Sequence, residues 1–463
     1  MRPALTELNL TLAQAKTREA GEHVAHQVRI GITAVSSPLE VGAAGAPMLA
    51  DRLRQSFVDA DFPQLEVVPS DGPVVDPASA VSAGRLFYDR RVDAVCIIAA
   101  SWFEDYLVLD LLEECNVPVI AWARPGMETG SLCGMQQIAF FLKQVGRPYL
   151  YLFEEPVSRT GLERAYNYAS AAATRNWLRR ARIGYLGHRV EGMTDTTAHE
   201  LALKKIFGPR VVSIDSQIFA NAVSQVAPDT VEVAWEDISR QVGSVTASLQ
   251  AGIEALRTYV ALKETVAGAG LSAVAVGCYP HLMGKVCLGI SLLAEEGIPN
   301  ACEGDINGAL AMMILSKLAG APVHNTDMLD PIPEDNAFVF SHCGAGGFSL
   351  AAYPSRIQLG PVRLMDQGVV ALFTARPGPV TLLNIVATID GYRMGMLFGE
   401  AKETDMVFPG NPLKVTFATG YRNILAWIAE NGLGHHWMAA YGDLRQPLAD
   451  LAGLVGCEIL SLE

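Results

Sequence analysis

Short, continuously apolar runs alternate with amphipathic stretches through the first two-thirds of the chain, and few folds admit that alternation. VRIGITAV (28–35), LEVVPS, DAVCIIAA and VPVIAWA are each too short for a buried helix. They are also too uniformly apolar for strands with one wet face. Between them lie helical patterns at about Ala46–Val58, Ala78–Asp89, Glu104–Glu114 and Leu132–Val145, and PYLYLFE closes the series near residue 155. Strand, helix and strand in right-handed succession make parallel neighbours, so residues 28–158 read as a doubly wound, flavodoxin-like domain.

A second α/β domain is expected over 159–355. It starts with a helix at Leu162–Arg180 and the strand ARIGYLGH, continues through Glu200–Ile206 and VVSID, and runs a long helix from Trp235 to Val266 into SAVAVGCYP. From about Gly360 the pattern changes. RIQLGPVRL, GVVALFTA, VTLLNIVATIDG, YRMGMLFGEA and LKVTFATG are short strands with Gly and Pro between them, which predicts a β-rich, barrel-like domain over 356–463. The fold class is therefore α/β, two doubly wound parallel-sheet domains followed by that barrel. Residues 1–27 stand apart as a leader whose scattered charges and lack of an apolar core do not fit a signal peptide.

Bulk composition removes several function classes. A formal net charge of −14 argues against a nucleic-acid partner, which needs a basic surface. No uncharged apolar run approaches the ~20 residues of a membrane span. The eight cysteines form no CxxC pair, so buried free thiols in a reducing cytoplasm are the economical expectation.

The chemistry concentrates in IPNACEGDINGALAMMILSKLAGAPVHNTD, from Ile298 to Asp327. An apolar strand ends at Glu303, a helix follows, and a second short strand (Ala321–Val323) runs into Asp327. A third strand, Ala337–Phe340, ends at Ser341 and His342. As parallel neighbours these strands would present Glu303, Asp327 and His342 at one carboxyl edge, where open α/β sheets bind ligands. Two carboxylates and an imidazole there suit a hard divalent cation and proton transfer. Each acid alone would more ordinarily be a helix cap or a turn residue.

The segment CEGDINGAL, with Glu303 and Asp327 24 positions apart, resembles the region around the catalytic glutamate of the L-fucose isomerase family. NGLGHHWMAAYGDL is similar to that family's late metal-binding segment, and its His-His pair also resembles the sister L-arabinose isomerase family. Weaker matches are IGYLGHRVEGM, AVAVGCYPHLM and ARPGPVTLLNI. The resemblance implies Mn²⁺, or another divalent cation such as Co²⁺ or Mg²⁺, held by Glu303, Asp327 and His436. It implies Glu303 and Asp327 as the acid/base pair, and His342 as the counterpart of a further histidine in the sister family. Trp102 is either an ordinary half-buried aromatic at a helix start or, as the resemblance implies, a hydrophobic wall for a sugar, able to reach a neighbouring subunit's site in a homotrimer or homohexamer. His435 stands where that family has asparagine; because adjacent side chains on a strand point to opposite faces, it is expected to contact the substrate or support the ligands rather than bind the metal, and His281 is either a first-turn helix residue or a substrate contact. The implied activity is aldose–ketose isomerisation of a small carbohydrate through a cis-enediol. The alternative is a sugar-binding or sensing protein on the same architecture, which has no reason to keep both acids and His436 together.

Overall fold

The computed structural model describes residues 27–462, so the leader expected over 1–27 falls outside the described residues apart from Gln27. The described chain forms two compact units, residues 27–177 with 446–456 and residues 178–445 with 457–462. No helix among the described residues is long and apolar enough to cross a membrane.

The first unit holds β1 (Val28–Val35), β2 (Leu65–Pro69), β3 (Ala94–Ala99), β4 (Val119–Ala123) and β5 (Tyr149–Phe153), all parallel in the order 2-1-3-4-5. That is the flavodoxin-like order expected from the sequence. One of its helices starts at a full capping box. Asp76 accepts from Ser79 N at 2.8 Å ahead of Pro77, whose fixed φ suits a first turn. Phe87, Ile97, Phe103 and Leu111 pack the core between sheet and helices. Residues 446–456 return to this unit, where Asp450 receives both ends of the Arg164 guanidinium at 2.6 and 2.7 Å.

In the second unit β6 (Arg182–Leu186), β7 (Arg210–Ile214), β8 (Ser244–Val245), β9 (Ala273–Val276) and β10 (Asn300–Ala301) follow in turn. Four of them form a parallel sheet in the order β10-β9-β6-β7. The long helix expected from Trp235 to Val266 is broken into Asp229–Gln241 and Leu249–Ala269, because β8 leaves the sheet between them.

The remaining strands are β11 (His324–Ile332), β12 (Ala337–Ser341), β13 (Gln358–Val362), β14 (Gln367–Leu372), β15 (Gly378–Thr388), β16 (Gly391–Lys402), β17 (Leu413–Thr416), β18 (His436–Tyr441) and β19 (Glu458–Ser461). β13 and β14 join β8 in a small sheet. Six others close an antiparallel ring, β15-β18-β11-β12-β17-β16 and back to β15, with β19 added on β16. The β-rich C-terminal part does build a barrel, but β13 and β14, expected in it, stand apart in the small sheet, and β11 and β12 from before residue 356 take their place in the ring. Its interior takes every second residue of each strand, including Phe338, Phe340, Leu382, Val415, Trp437 and Ala439.

The strands carrying Asp327 and His342 differ from expectation. They are not parallel neighbours of the Glu303 strand; β11 and β12 form an antiparallel hairpin within the barrel. The connection explains the difference. Only residues 333–336 separate the two strands, a single turn ending in Asn336 at φ +47°, whereas a parallel crossover needs a dozen or more residues. The helix Ile306–Ala319 does cross over, but from the parallel sheet to the barrel wall, where it packs on β15 and β18.

Candidate metal centre

Three separate pieces of backbone bring the site together, all within the second unit. Directly after β10, Glu303 adopts φ +62° and Gly304 φ +70°, so the chain reverses sharply at the carboxyl edge of the parallel sheet. A left-handed conformation at a non-glycine residue costs about 1–3 kcal/mol and persists where its surroundings enforce it. Here Glu303 N donates to Cys278 Sγ at 3.4 Å and Gly304 N to Val276 O at 2.9 Å. Gly304 must be glycine for a second reason, since a Cβ there would lie 2.6 Å from His188 O.

The barrel supplies the second piece. Asp327 on β11 is directly opposite His436 on β18 and, on its other side, Ser341 on β12. Side chains alternate along a strand, so Trp437 and Ala439 fill the barrel while His436 and Met438 face outward. The Met438 methyl lies against Gly308 of the crossover helix, which places this outer face against the parallel sheet's edge. The register of β11 slips between Met328 and Asp330, just beyond Asp327, and such bulges re-aim side chains beside functional sites. The third piece is the turn after β12, which buries His342; Ser341 Oγ there accepts from Asn411 N at 3.1 Å.

The resulting distances are short. His436 Nε2 lies 3.1 Å from Glu303 Oε2 and 3.4 Å from Asp327 Oδ1. His342 Nε2 lies 3.8 Å from Glu303 Oε2 and 4.0 Å from Asp327 Oδ2. The other nitrogen of His436, Nδ1, is 2.8 Å from Asp305 Oδ2. A carboxylate can only accept there, so Nδ1 carries a proton, and Nε2 faces two more carboxylates. Acceptors facing acceptors need a proton or a cation between them. The charges agree. Burial opposes ionisation of Glu303, yet hydrogen bonds from His342 and His436 hold its carboxyl well below the usual range. Burial likewise opposes charge on both imidazoles, but Asp327 raises His342, and Asp305 with Glu303 pushes His436 up to about 10. Asp327 Oδ1 and His342 Nδ1 are buried without a hydrogen-bond partner.

Glu303, His342 and His436 each offer one ligand atom within 4.8 Å of the others, close enough to share a single metal ion, and Asp327 with His435 and His436 forms a second such grouping around the same imidazole. This oxygen and imidazole set fits a divalent cation better than a structural zinc, which usually recruits thiolates.

Of the residues singled out in the sequence, Glu303, Asp327, His342, His435 and His436 come together. His435 does not point away from His436, as strand alternation would have it. It precedes β18, and the two rings sit 4.2 Å apart. His281 is exposed on the turn that leaves β9. Trp102 belongs to the other compact unit, half-buried after β3, its indole donating to Gln137 Oε1 at 3.1 Å. Two acids were not foreseen. Asp305 opens the crossover helix as its N-cap yet spends its side chain on His436 rather than on the helix. Asp195 is 2.5 Å from His435 Nδ1. Only the phrase CEGDING, already carrying Glu303, hinted at Asp305; nothing in sequence pointed to Asp195.

No protein-family model matches the chain. It is similar to curated sulfoquinovose isomerases from Alkalicoccus urumqiensis (27% identical over 388 residues, 80% of this chain and 86% of that protein) and Priestia megaterium (26% over 382 residues, 80% and 85%). A sulfoquinovose isomerase from a Clostridium species is 24% identical over 356 residues, 75% and 79% of the two chains. A solved Mycobacterium smegmatis protein in complex with β-D-fucofuranose aligns at 11% identity over 64% of this chain and 87% of that one, with a TM-score of 0.17, too slight a likeness to bear on fold or function.

Proposed function

We propose that the protein is an aldose–ketose isomerase for a sugar or sugar derivative, with Glu303 and Asp327 as its acid/base pair. One observation carries the reading: two carboxylates from different sheets converge on the same imidazole nitrogen, His436 Nε2. Isomerisation needs two such groups close together. A proton leaves C2 and another arrives at C1 through a cis-enediol, and each group must serve as base in one direction and acid in the other. The likeness to sulfoquinovose isomerases across four-fifths of the chain supports the reaction class and makes sulfoquinovose the first substrate to try.

Glu303, Asp327 and His436, with His342 beside them, would hold a Mn²⁺-like ion, which when bound supplies Lewis-acid polarisation of the sugar carbonyl. The chain's own residues do the rest. Asp305 fixes the His436 tautomer, Glu303 is held ionised by the neighbouring imidazoles, and the barrel wall keeps Asp327 in register with His436. The resemblance to the fucose isomerase family further supports a homotrimer or homohexamer in which Trp102 lines a neighbouring subunit's site. Light scattering reporting a fully active monomer would contradict that assembly.

The test is elemental analysis of protein purified without chelators, followed by assays with sulfoquinovose and a panel of neutral aldoses and ketoses. The reading requires a bound divalent metal, turnover of at least one sugar, and loss of that turnover in EDTA. Metal-free protein with activity unchanged by EDTA would remove the metal, and no turnover of any sugar would remove the isomerase.

A further inference from the structure

His435 is held in a way that the metal centre does not require. Its ring Nδ1 lies 2.5 Å from Asp195 Oδ2, and its backbone N donates to the same oxygen at 3.3 Å. Asp195 itself sits in a one-turn 3-10 helix, Thr194–Thr196, whose Thr196 hydroxyl donates back to Met193 O at 2.9 Å. A Cβ on Gly434, the residue before His435, would lie 3.0 Å from the same Asp195 oxygen. Thus a residue 240 positions earlier in the chain clamps both the backbone and the ring of residue 435. The carboxylate can only accept, so Nδ1 keeps its proton and Nε2 is left as the free acceptor. The ring lies 4.2 Å from that of His436 yet is far more exposed, 40% of its side chain against 4%. It stands on the open side of a cluster whose other imidazoles are buried.

A carboxylate-oriented imidazole with one free nitrogen, at the open edge of the site, is a proton-handling device. Enediol chemistry leaves it work to do. Aldoses in water are almost entirely cyclic hemiacetals, whereas the proton shift between C2 and C1 requires the open-chain carbonyl. We infer that His435 opens the sugar ring, with Asp195 as its positioning residue. The step rests on the isomerase reading above. The proton on the anomeric O1 passes to Nε2 as the C1–O5 bond breaks and the C1–O1 carbonyl forms. Nε2 then returns that proton to O5, so the imidazole ends as it began. The negative charge of Asp195 stabilises the imidazolium formed between the two transfers.

The experiment compares wild-type protein with His435→Gln and Asp195→Asn, each loaded with Mn²⁺, using sulfoquinovose as the probe. Three quantities are read: Mn²⁺ affinity, the isomerisation rate, and exchange between α and β anomers by magnetisation-transfer NMR. Wild-type protein is expected to accelerate anomer exchange, since ring opening and reclosure scramble C1. Both variants should bind Mn²⁺ as wild type does. Each should lose the accelerated exchange by at least tenfold, with isomerisation falling by a similar factor. A merely structural role would disturb Mn²⁺ binding as well, rather than leave it intact while both rates fall. Anomer exchange at the wild-type rate in either variant overturns the inference. So does loss of Mn²⁺ binding in His435→Gln, which would make His435 a ligand. Wild-type protein that isomerises no sugar defeats the isomerase reading, and this step with it.

Discussion

Asp305 Oδ2 lies 2.8 Å from His436 Nδ1, and both side chains are buried. The bond leaves a single nitrogen of His436 free to face Glu303 and Asp327. Carboxylates that orient a ligating imidazole typically contribute ten- to a hundredfold in metal affinity. Asp305→Asn is therefore expected to weaken Mn²⁺ binding by about 10–100-fold while leaving the fold intact. Calorimetric titration checks this, and unchanged affinity would separate Asp305 from the metal centre.

The imidazoles give the site a pH signature. In the metal-free protein His436 is pushed up to about 10. A raised imidazole contributes stability that is fully present below its unfolded value near 6.5 and is lost as pH rises through about 10. A metal ligand must be neutral, so an incoming ion displaces that proton. Apparent Mn²⁺ affinity should then rise about tenfold per pH unit for each proton displaced, between about pH 6.5 and 8.5. Affinity that is flat across this range would show that His436 is already neutral.

Gly304 tests the backbone that presents Glu303. At φ +70° with His188 O in the way, Gly304→Ala adds left-handed strain and a close contact with main chain. The expected cost is about 1–3 kcal/mol of stability. Turnover should fall further than stability accounts for, because Glu303 is the next residue. Urea unfolding beside steady-state rates reads both, and a fully active, fully stable variant would show that the turn tolerates a side chain.

The carboxylates themselves carry the largest expected effect. Glu303→Gln and Asp327→Asn should each lower turnover by at least about 10²–10⁴-fold, the usual loss when a general acid–base is removed. Both directions should suffer, since aldose and ketose share one enediol. Near-wild-type rates in either variant would exclude that residue as the proton carrier.

Much of the fold was legible because its signal is local. The apolar runs of β1, β3 and β4 and the Gly- and Pro-punctuated strands after residue 360 carry their own periodicity. Sheet membership was less legible. The apolar stretch before Asp327 looks like another parallel strand, and only the length of the connection after Ile332 reveals a hairpin. In the site, Glu303, Asp327 and His436 were found through spacing and family resemblance. Asp305 was hidden because aspartate at a helix start is ordinarily a cap. The pairing of Asp195 with His435 spans 240 positions and leaves no trace in a single sequence.

The central claim is that Glu303 and Asp327 move a proton between C1 and C2 of a sugar. Isomerisation by the Mn²⁺-loaded wild-type protein in D₂O tests it most directly, with the product examined by NMR at those two carbons. Deuterium at C1 of the ketose, or at C2 of the aldose in the reverse direction, is the expected result. Turnover with no solvent label at either carbon, repeated across several pH values, would mean that hydrogen moves directly between the carbons and would contradict the acid/base role of both carboxylates.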